Sequence, residues 1–339
     1  MYKSNVLKSN DLKLNVSKSN DSKFNDLTKA VVKRKRFCGE NVELAVLGLP
    51  VVIWFFLFSY LPIFGIVIAF KRYQPLGSNF IDSLLKSEWI GLRNFRFLFL
   101  TPDAMIVFRN TILYNAVFIL SGILVAVSLA IMMSLLHSRK MAKTAQTLIF
   151  LPHFLSWVVV GYFVYSFLHH DKGLVNQVLT AAGLQPRMWY MEPKYWPYFL
   201  FFINIWKGMG YGMVVYLAGI AGIDTNLYEA AVIDGATKSR QVWSIVLPML
   251  KPIITIMFIL AVGRIFMSDF GLFYFIPKQS GLLFNVTQTV DVYVYNALMQ
   301  QNNLGFASAA NFIQSVAGFV TIFTANCVVK KLDSGNSLF

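Results

Sequence analysis

Charge is scarce in this chain of 339 residues: Asp, Glu, Lys and Arg together make up 14%, where a soluble domain averages about 25%. The charges also cluster, leaving long uncharged runs that argue against an ordinary water-soluble domain. Cysteine is nearly absent. Cys38 and Cys327 lie near opposite ends with neither metal-ligand spacing nor a redox pair, and read as two unpaired thiols. No glycine is followed by lysine, so the chain supplies no Gly-Lys-Ser/Thr phosphate-binding loop. His-Glu-x-x-His and Gly-x-Ser-x-Gly are missing too. These absences exclude ATP hydrolysis on a P-loop of this chain and leave no catalytic constellation.

What is abundant is apolar surface, with 56% hydrophobic residues, 16% aromatics and 31 Phe, beside a formal net charge of +14. Six segments are long enough to span a hydrocarbon core of about 30 Å at about 1.5 Å per helical residue. They cover roughly 44–70, 108–136, 145–169, 197–223, 250–276 and 304–329. The expected fold is therefore an all-α integral membrane protein with six transmembrane helices. Pro and Gly inside several spans, including Pro62, Gly65, Pro152, Gly161, Gly208, Gly210 and Gly212, are tolerated in lipid and point to kinks or close helix contacts. The first run, 44–70, follows a polar stretch of 43 residues and ends in no A-x-A pattern. It is longer than the roughly 7–15 residues of a signal-peptide core, and reads as a retained helix.

Residues 1–43 differ in character. Asn recurs at 5, 10, 15, 20 and 25, and Lys at 3, 8, 13, 18 and 23, a five-residue repeat that fits neither a helix nor a strand. With few large apolar residues, this Lys/Asn tail is expected to be disordered. Lys33-Arg34-Lys35-Arg36 directly before the first span reads as a basic anchor on anionic lipid rather than a nucleic-acid site. With both termini cytoplasmic, 13 Lys and Arg residues flank spans on the inner side and 9 on the outer side, a modest positive-inside bias. The domain division is then a tail at 1–43, a transmembrane domain at 44–330 and a short cytoplasmic tail at 331–339. In the first outer loop, Trp89 to Phe95 is expected to lie along the interface as a short amphipathic helix. The third outer loop, about 277–303, shows Val290, Val292 and Val294 in alternation and leaves its conformation open.

Between the fourth and fifth spans lies a cytoplasmic run from Ile223 to Lys238 that contains Glu229-Ala230-Ala231, then Gly235, and leads to Ile245-x-Leu247-Pro248. Asn226 is placed to cap a helix, with Glu229 three residues on reaching back. Gly235 permits a left-handed turn that ends this helix. A second helix is expected from about Thr237 to Val246, with Pro248 where the chain turns into the next span. Together these make a helix-turn-helix corner with a small, shallow surface.

This corner resembles the EAA loop of binding-protein-dependent ABC importer permeases, matching Glu, two Ala, Gly and the terminal Ile-x-Leu-Pro at the family's spacing and topological position. Further runs look like the carbohydrate-uptake branch, most like LplB-type permeases for polysaccharide and oligosaccharide fragments: Tyr60-Leu61-Pro62-x3-Gly65-x3-Ala69-Phe70-Lys71-x-Tyr73, Trp89-Ile90-Gly91-Leu92-Arg93-Asn94-Phe95 and Arg109-Asn110-Thr111. The resemblance covers about 44–330. It implies a multi-pass subunit in the cell membrane of a bacterium, importing an oligosaccharide and performing no catalysis. It also implies that Asn226, Tyr228, Glu229, Ala230, Ala231, Asp234, Gly235, Ala236, Ile245, Leu247 and Pro248 form the surface that receives an ATPase. The implied partners are a second permease subunit, two ATP-binding subunits that carry ATP and Mg, and an extracytoplasmic solute-binding lipoprotein. The chain itself would bind no cofactor, metal or nucleic acid and would contact membrane lipid.

Ionisable residues deep in a span are costly and functional by default. Lys207 falls in the fourth span, and Arg264 and Asp269 in the fifth. On one helix the last two would lie about 7.5 Å apart in rise and about 140° apart in azimuth, so Asp269 is expected to meet Lys207 instead. A structural ion pair, direct substrate contact and a proton relay remain open. Asn204, Trp206 and Tyr211 near Lys207, and Phe273 and Tyr274 near Asp269, offer the rings and amides that suit sugars. His153, beside Pro152, reads as a packed kink residue. An ion-coupled secondary transporter is the alternative; it would need a coupling site, for which Asp269 alone is thin support.

Overall fold

The computed structural model describes residues 39–75, 77, 79–100, 102–332 and 335. The Lys/Asn repeat, the basic run at 33–36 and most of the C-terminal tail lie outside the described residues. The chain divides into two units, one ending at Phe64 and the other running from Gly65.

Almost every element is helical. The first unit holds α1 (Gly39–Phe55), which widens into a π turn, Phe56–Tyr60, and then tightens into a 3-10 segment, Leu61–Phe70, that runs on into the second unit. The pitch changes just before Pro62, which has no amide hydrogen to donate. The second unit continues with β1 (Lys71–Arg72), α2 (Phe80–Lys86), β2 (Glu88–Trp89), α3 (Arg93–Leu100), α4 (Pro102–Ser134), α5 (Arg139–Phe150), α6 (Trp157–Leu168), α7 (Leu174–Ala181) and α8 (Trp196–Ala221). It closes with α9 (Thr225–Ile233), α10 (Lys238–Gln241), α11 (Leu247–Val262), α12 (Phe270–Phe275), α13 (Phe284–Thr287), α14 (Val290–Gln301) and α15 (Leu304–Leu332).

Among the described residues five helical stretches are long and apolar enough to cross a membrane: Leu44–Phe70, Asp103–Ser134, Pro193–Ala221, Lys238–Val262 and Leu304–Lys331. The expected third span is not straight. It divides into Arg139–Phe154 and Trp157–Leu168, bent by 95°, and makes a sixth span only if the pair counts as one. Pro152 sits in a 3-10 turn, Leu151–Phe154, and Ser156 restarts the helix by accepting from the Val159 amide at 3.3 Å. The expected fifth span, 250–276, is also overturned. Its helix stops at Val262, and α12 begins only after Asp269.

Helix α8 is the spine. Its first half packs Trp196, Leu200 and Ile203 against Val160, Leu272, Phe273 and Ile276. Its second half packs Met213, Tyr216 and Ile220 against Ala126, Ala130, Met133, Val246 and Leu250. A third cluster gathers Ala69, Phe95, Val107, Val290, Val294 and Phe306.

The segment from Trp89 to Phe95 is not one amphipathic helix. Trp89 pairs with Lys71 in an antiparallel two-stranded sheet and stacks on Phe70 at 5.8 Å. The Asn94 side-chain amide donates to the carbonyls of Ala69 (2.8 Å) and Lys71 (3.0 Å), and Phe95 is buried beside Phe70 and Phe312. Beyond Asp269, the segment whose conformation was open forms α13 and α14. The Arg109-Asn110-Thr111 run holds it. Asn110 donates to the carbonyls of Asn285 and Gln288, each at 3.1 Å, and the buried Thr111 hydroxyl accepts from the Val290 amide at 3.0 Å.

Candidate functional site

Helix α9 follows α8 after a short turn. Its cap is Asp224, not Asn226: the Asp224 carboxylate accepts from the Asn226 backbone amide at 3.0 Å and from its side-chain amide at 3.3 Å. A carboxylate at a helix start also complements the dipole, which favours Asp over Asn here. Glu229 therefore does not close a capping box. It is exposed and makes no hydrogen bond or ion pair among the described residues.

The helix ends in a full Schellman arrangement. Gly235 has φ +73, its amide donates to Val232 at 3.0 Å, and the Ala236 amide donates to Ala231 at 2.8 Å. Thr237 then caps α10 by accepting from the Arg240 amide at 3.4 Å. There is no second corner at Pro248, because Lys238–Val262 runs as one helical stretch through a π turn at Val242–Val246.

Side chains on this corner separate by exposure. Asn226, Glu229, Ala230, Asp234 and Pro248 are exposed, as are the apolar Leu227, Val232 and Ile233. Tyr228 and Leu247 are half-buried and pack against the cluster at the end of α8, while Ala231, Ala236 and Ile245 are half-buried too. Burial raises the Tyr228 phenol above its usual pKa. The buried Gln241 side chain donates to the Ala236 carbonyl at 3.1 Å and so braces the turn from within. No sequence signal singled it out, since a polar residue four positions into a helix reads as surface.

A cleft of about 330 Å³ lies between α4, α8 and the end of α11. Among the expected pathway residues, Asn204, Tyr211 and Asp269 line it, joined by Asn115 and Tyr216. Trp206 and Tyr274 pack instead against the aromatic cluster at the start of α8, and Tyr274 stacks on Phe270 at 4.8 Å. Arg264 is exposed in the turn that follows α11. His153 stacks on Tyr211 at 5.2 Å.

The expected meeting of Lys207 and Asp269 is mediated rather than direct. No ion pair among the described residues includes Lys207, Arg264 or Asp269. Lys207 donates to the His153 carbonyl at 3.0 Å and lies 4.9 Å from the centroid of the Trp157 ring. The Trp157 indole N–H donates to Asp269 at 3.1 Å, and Asp269 caps α12 by accepting from the Leu272 amide at 3.3 Å. Trp157, unremarked in the sequence, is the hub. The chain between the halves of the fifth span is held from outside. Asn115 donates to the carbonyls of Ile265 (2.8 Å) and Met267 (2.9 Å). Gln314 donates to Phe266 at 2.7 Å, and Asp291 accepts from the Ser268 amide at 2.6 Å.

Residues 122–334 match the binding-protein-dependent transport system inner membrane component family. The chain belongs to this family. Over 303 residues it is 33% identical to the polygalacturonan/rhamnogalacturonan transport system permease protein YteP of Bacillus subtilis (strain 168), covering 88% of this chain and 92% of the relative. Protein LplB of the same organism is 31% identical over 291 residues, 86% of this chain and 89% of LplB. A crystal structure of a bacterial ABC transporter involved in the import of the acidic polysaccharide alginate superposes with a TM-score of 0.77 at 29% identity, over 87% of this chain and 97% of that one. A second structure of a bacterial alginate ABC transporter, in complex with a periplasmic protein bound to alginate pentasaccharide, gives the same TM-score at 28% identity. This permease is thus a multi-pass inner-membrane subunit of a bacterial ABC importer, a transport component and not an enzyme.

Proposed function

We propose that the permease carries an oligosaccharide across the membrane, driven by ATP that separate subunits hydrolyse. The carrying observation is helix α9, an exposed surface of Leu227, Glu229, Ala230, Val232 and Ile233 fixed at both ends by side-chain and Schellman bonds. A rigid, small-residue surface with an apolar rim suits insertion into a groove on another protein. Two ATP-binding subunits, which hold ATP and Mg, would receive α9 and its counterpart on a second permease subunit. Both termini and α9 then face the cytoplasm. An extracytoplasmic solute-binding protein would deliver the sugar, a reading supported by the periplasmic protein in the similar alginate transporter.

The substrate class is supported by the names of YteP and of the arabinooligosaccharides transport system permease protein AraP, which is 27% identical to this chain, and by the cleft, which the Asn204 amide and the Tyr211 ring both line. Rings offer apolar area to sugar faces, and amides both donate and accept to hydroxyls. In this chain Asp269 is engaged as a helix cap and by Trp157, which weighs against an ion-coupled carrier. Glu229→Lys provides the test: uptake of a labelled oligogalacturonide is expected to vanish while membrane insertion is unchanged. Normal uptake in cells lacking the ATP-binding subunits would overturn the reading.

A further inference from the structure

The two broken spans are joined to each other. We propose that α6 and α12, with the turns that follow to Leu283, swing as one body during transport, and that Trp157 is the positioning residue that makes them one. The inference rests on the permease reading above. Three contacts spread along the pair carry it. At the breaks, Trp157 donates to Asp269 at 3.1 Å and lies so close to Gly271 that a Cβ there would stand 2.8 Å from its own Cβ. Midway, a Cβ on Gly161 would stand 3.3 Å from the Cβ of Phe275. At the far end, the Lys278 ammonium sits 3.4 Å from the ring centroid of Tyr165 and 5.0 Å from that of Tyr162.

That last contact holds a costly turn. Lys278 and Gln279 are consecutive non-glycine residues at φ +52 each, a conformation that persists only where the surroundings over-determine it. Gln279 accepts from Asn296 at 2.8 Å, and Ser280 donates to the Tyr190 carbonyl at 3.1 Å. Burial, with Tyr165 beside it, raises the Tyr190 phenol, which stays protonated and donates to Ile276 at 3.2 Å. Both helices begin at a restart with its own side-chain cap, Ser156 and Asp269. Motion concentrates where the helical hydrogen-bond ladder is interrupted, here at residues 155–156 and, because Asn115, Gln314 and Asp291 fix 265–268, at the step from Ser268 to Asp269.

A Cβ on Gly161 would also stand 2.9 Å from the Phe275 carbonyl oxygen, too close for a cysteine pair, so nitroxides on the exposed Val159 and Leu282, in a Cys38→Ser, Cys327→Ser background, report the motion instead. Their distance is expected to stay constant between the nucleotide-free and vanadate-trapped complex while that from Val159 to Met132 changes; a changing Val159–Leu282 distance, or two constant ones, would overturn it. Trp157→Phe keeps the ring and loses the N–H. It is expected to raise ATP hydrolysis without binding protein several-fold at normal assembly, an effect that a merely structural role would not produce; an unchanged ratio would refute the role of Trp157. Failure of the permease reading looks different: no complex with the ATP-binding subunits would form at all.

Discussion

Trp157 donates its indole N–H to Asp269 across 3.1 Å, and so ties the residue that restarts one broken span to the residue that restarts another. Gly271 makes room for that ring. An alanine methyl there would meet Trp157 Cβ at 2.8 Å, with ring atoms closer still. The backbone of α12 cannot easily give way, because Leu272 and Phe273 are fully buried. Gly271→Ala is therefore expected to destabilise the protein by about 1–3 kcal/mol, the usual range for overpacking, read as a lower thermal midpoint in detergent. A Gly271→Ala, Trp157→Ala double variant should recover part of the loss.

Gly235 tests a different cost. Nothing lies within 4 Å of a Cβ built on it, so the penalty of Gly235→Ala comes from its φ of +73 alone. About 1–2 kcal/mol is expected, and less for Gly235→Asn, which tolerates the left-handed region. The strain loosens the end of α9, so co-purification of the ATP-binding subunits should fall in the same order, with alanine worse than asparagine.

The spans and the Gly235 corner were legible because each needs only local information: uninterrupted apolar length for the first, a left-handed residue after a helical run for the second. The breaks were not. Pro152 and Ser156 stood in view within the apolar run 145–169, but apolarity carries no mark of direction, and only packing against α8 and α12 shows the 95° bend. In the fifth span the signal was present and read the other way. Arg264 and Asp269 looked like charges buried mid-helix, whereas the helix had ended at Val262 and Asp269 caps the next one. Asp224 and Asn226 are both good caps two residues apart, and Glu229, three residues beyond Asn226, pointed to the wrong one.

Gln241 shows how a buried amide shapes an exposed surface. Its side chain donates to the Ala236 carbonyl at 3.1 Å and accepts from Lys238 at 3.4 Å. Gln241→Leu keeps the volume and leaves that half-buried carbonyl without its partner, at a cost of about 1–3 kcal/mol. Glu229→Gln, on the exposed face with no partner among the described residues, should leave stability unchanged. Comparing the two separates the scaffold of the corner from its contact surface: thermal midpoints are expected to fall for the first variant only.

Asp291 offers the sharpest local measurement. One of its carboxylate oxygens accepts from the Ser268 amide (2.6 Å), the Ser268 hydroxyl (2.7 Å) and the Gln314 amide (3.4 Å). In Asp291→Ala the Ser268 amide loses its acceptor, while Asn115 and Gln314 keep their hold on the carbonyls of Ile265, Met267 and Phe266. Hydrogen bonds to a charged group contribute about 1.5–3 kcal/mol. Amide exchange at Ser268 should therefore speed up by about 10- to 150-fold, at about 1.4 kcal/mol per factor of ten, while exchange in the interior of α8 stays as it was. Asp291→Asn retains one carbonyl acceptor and should fall between the two. Equal exchange at Ser268 in all three proteins would mean that the turn after Val262 is held by its carbonyls alone.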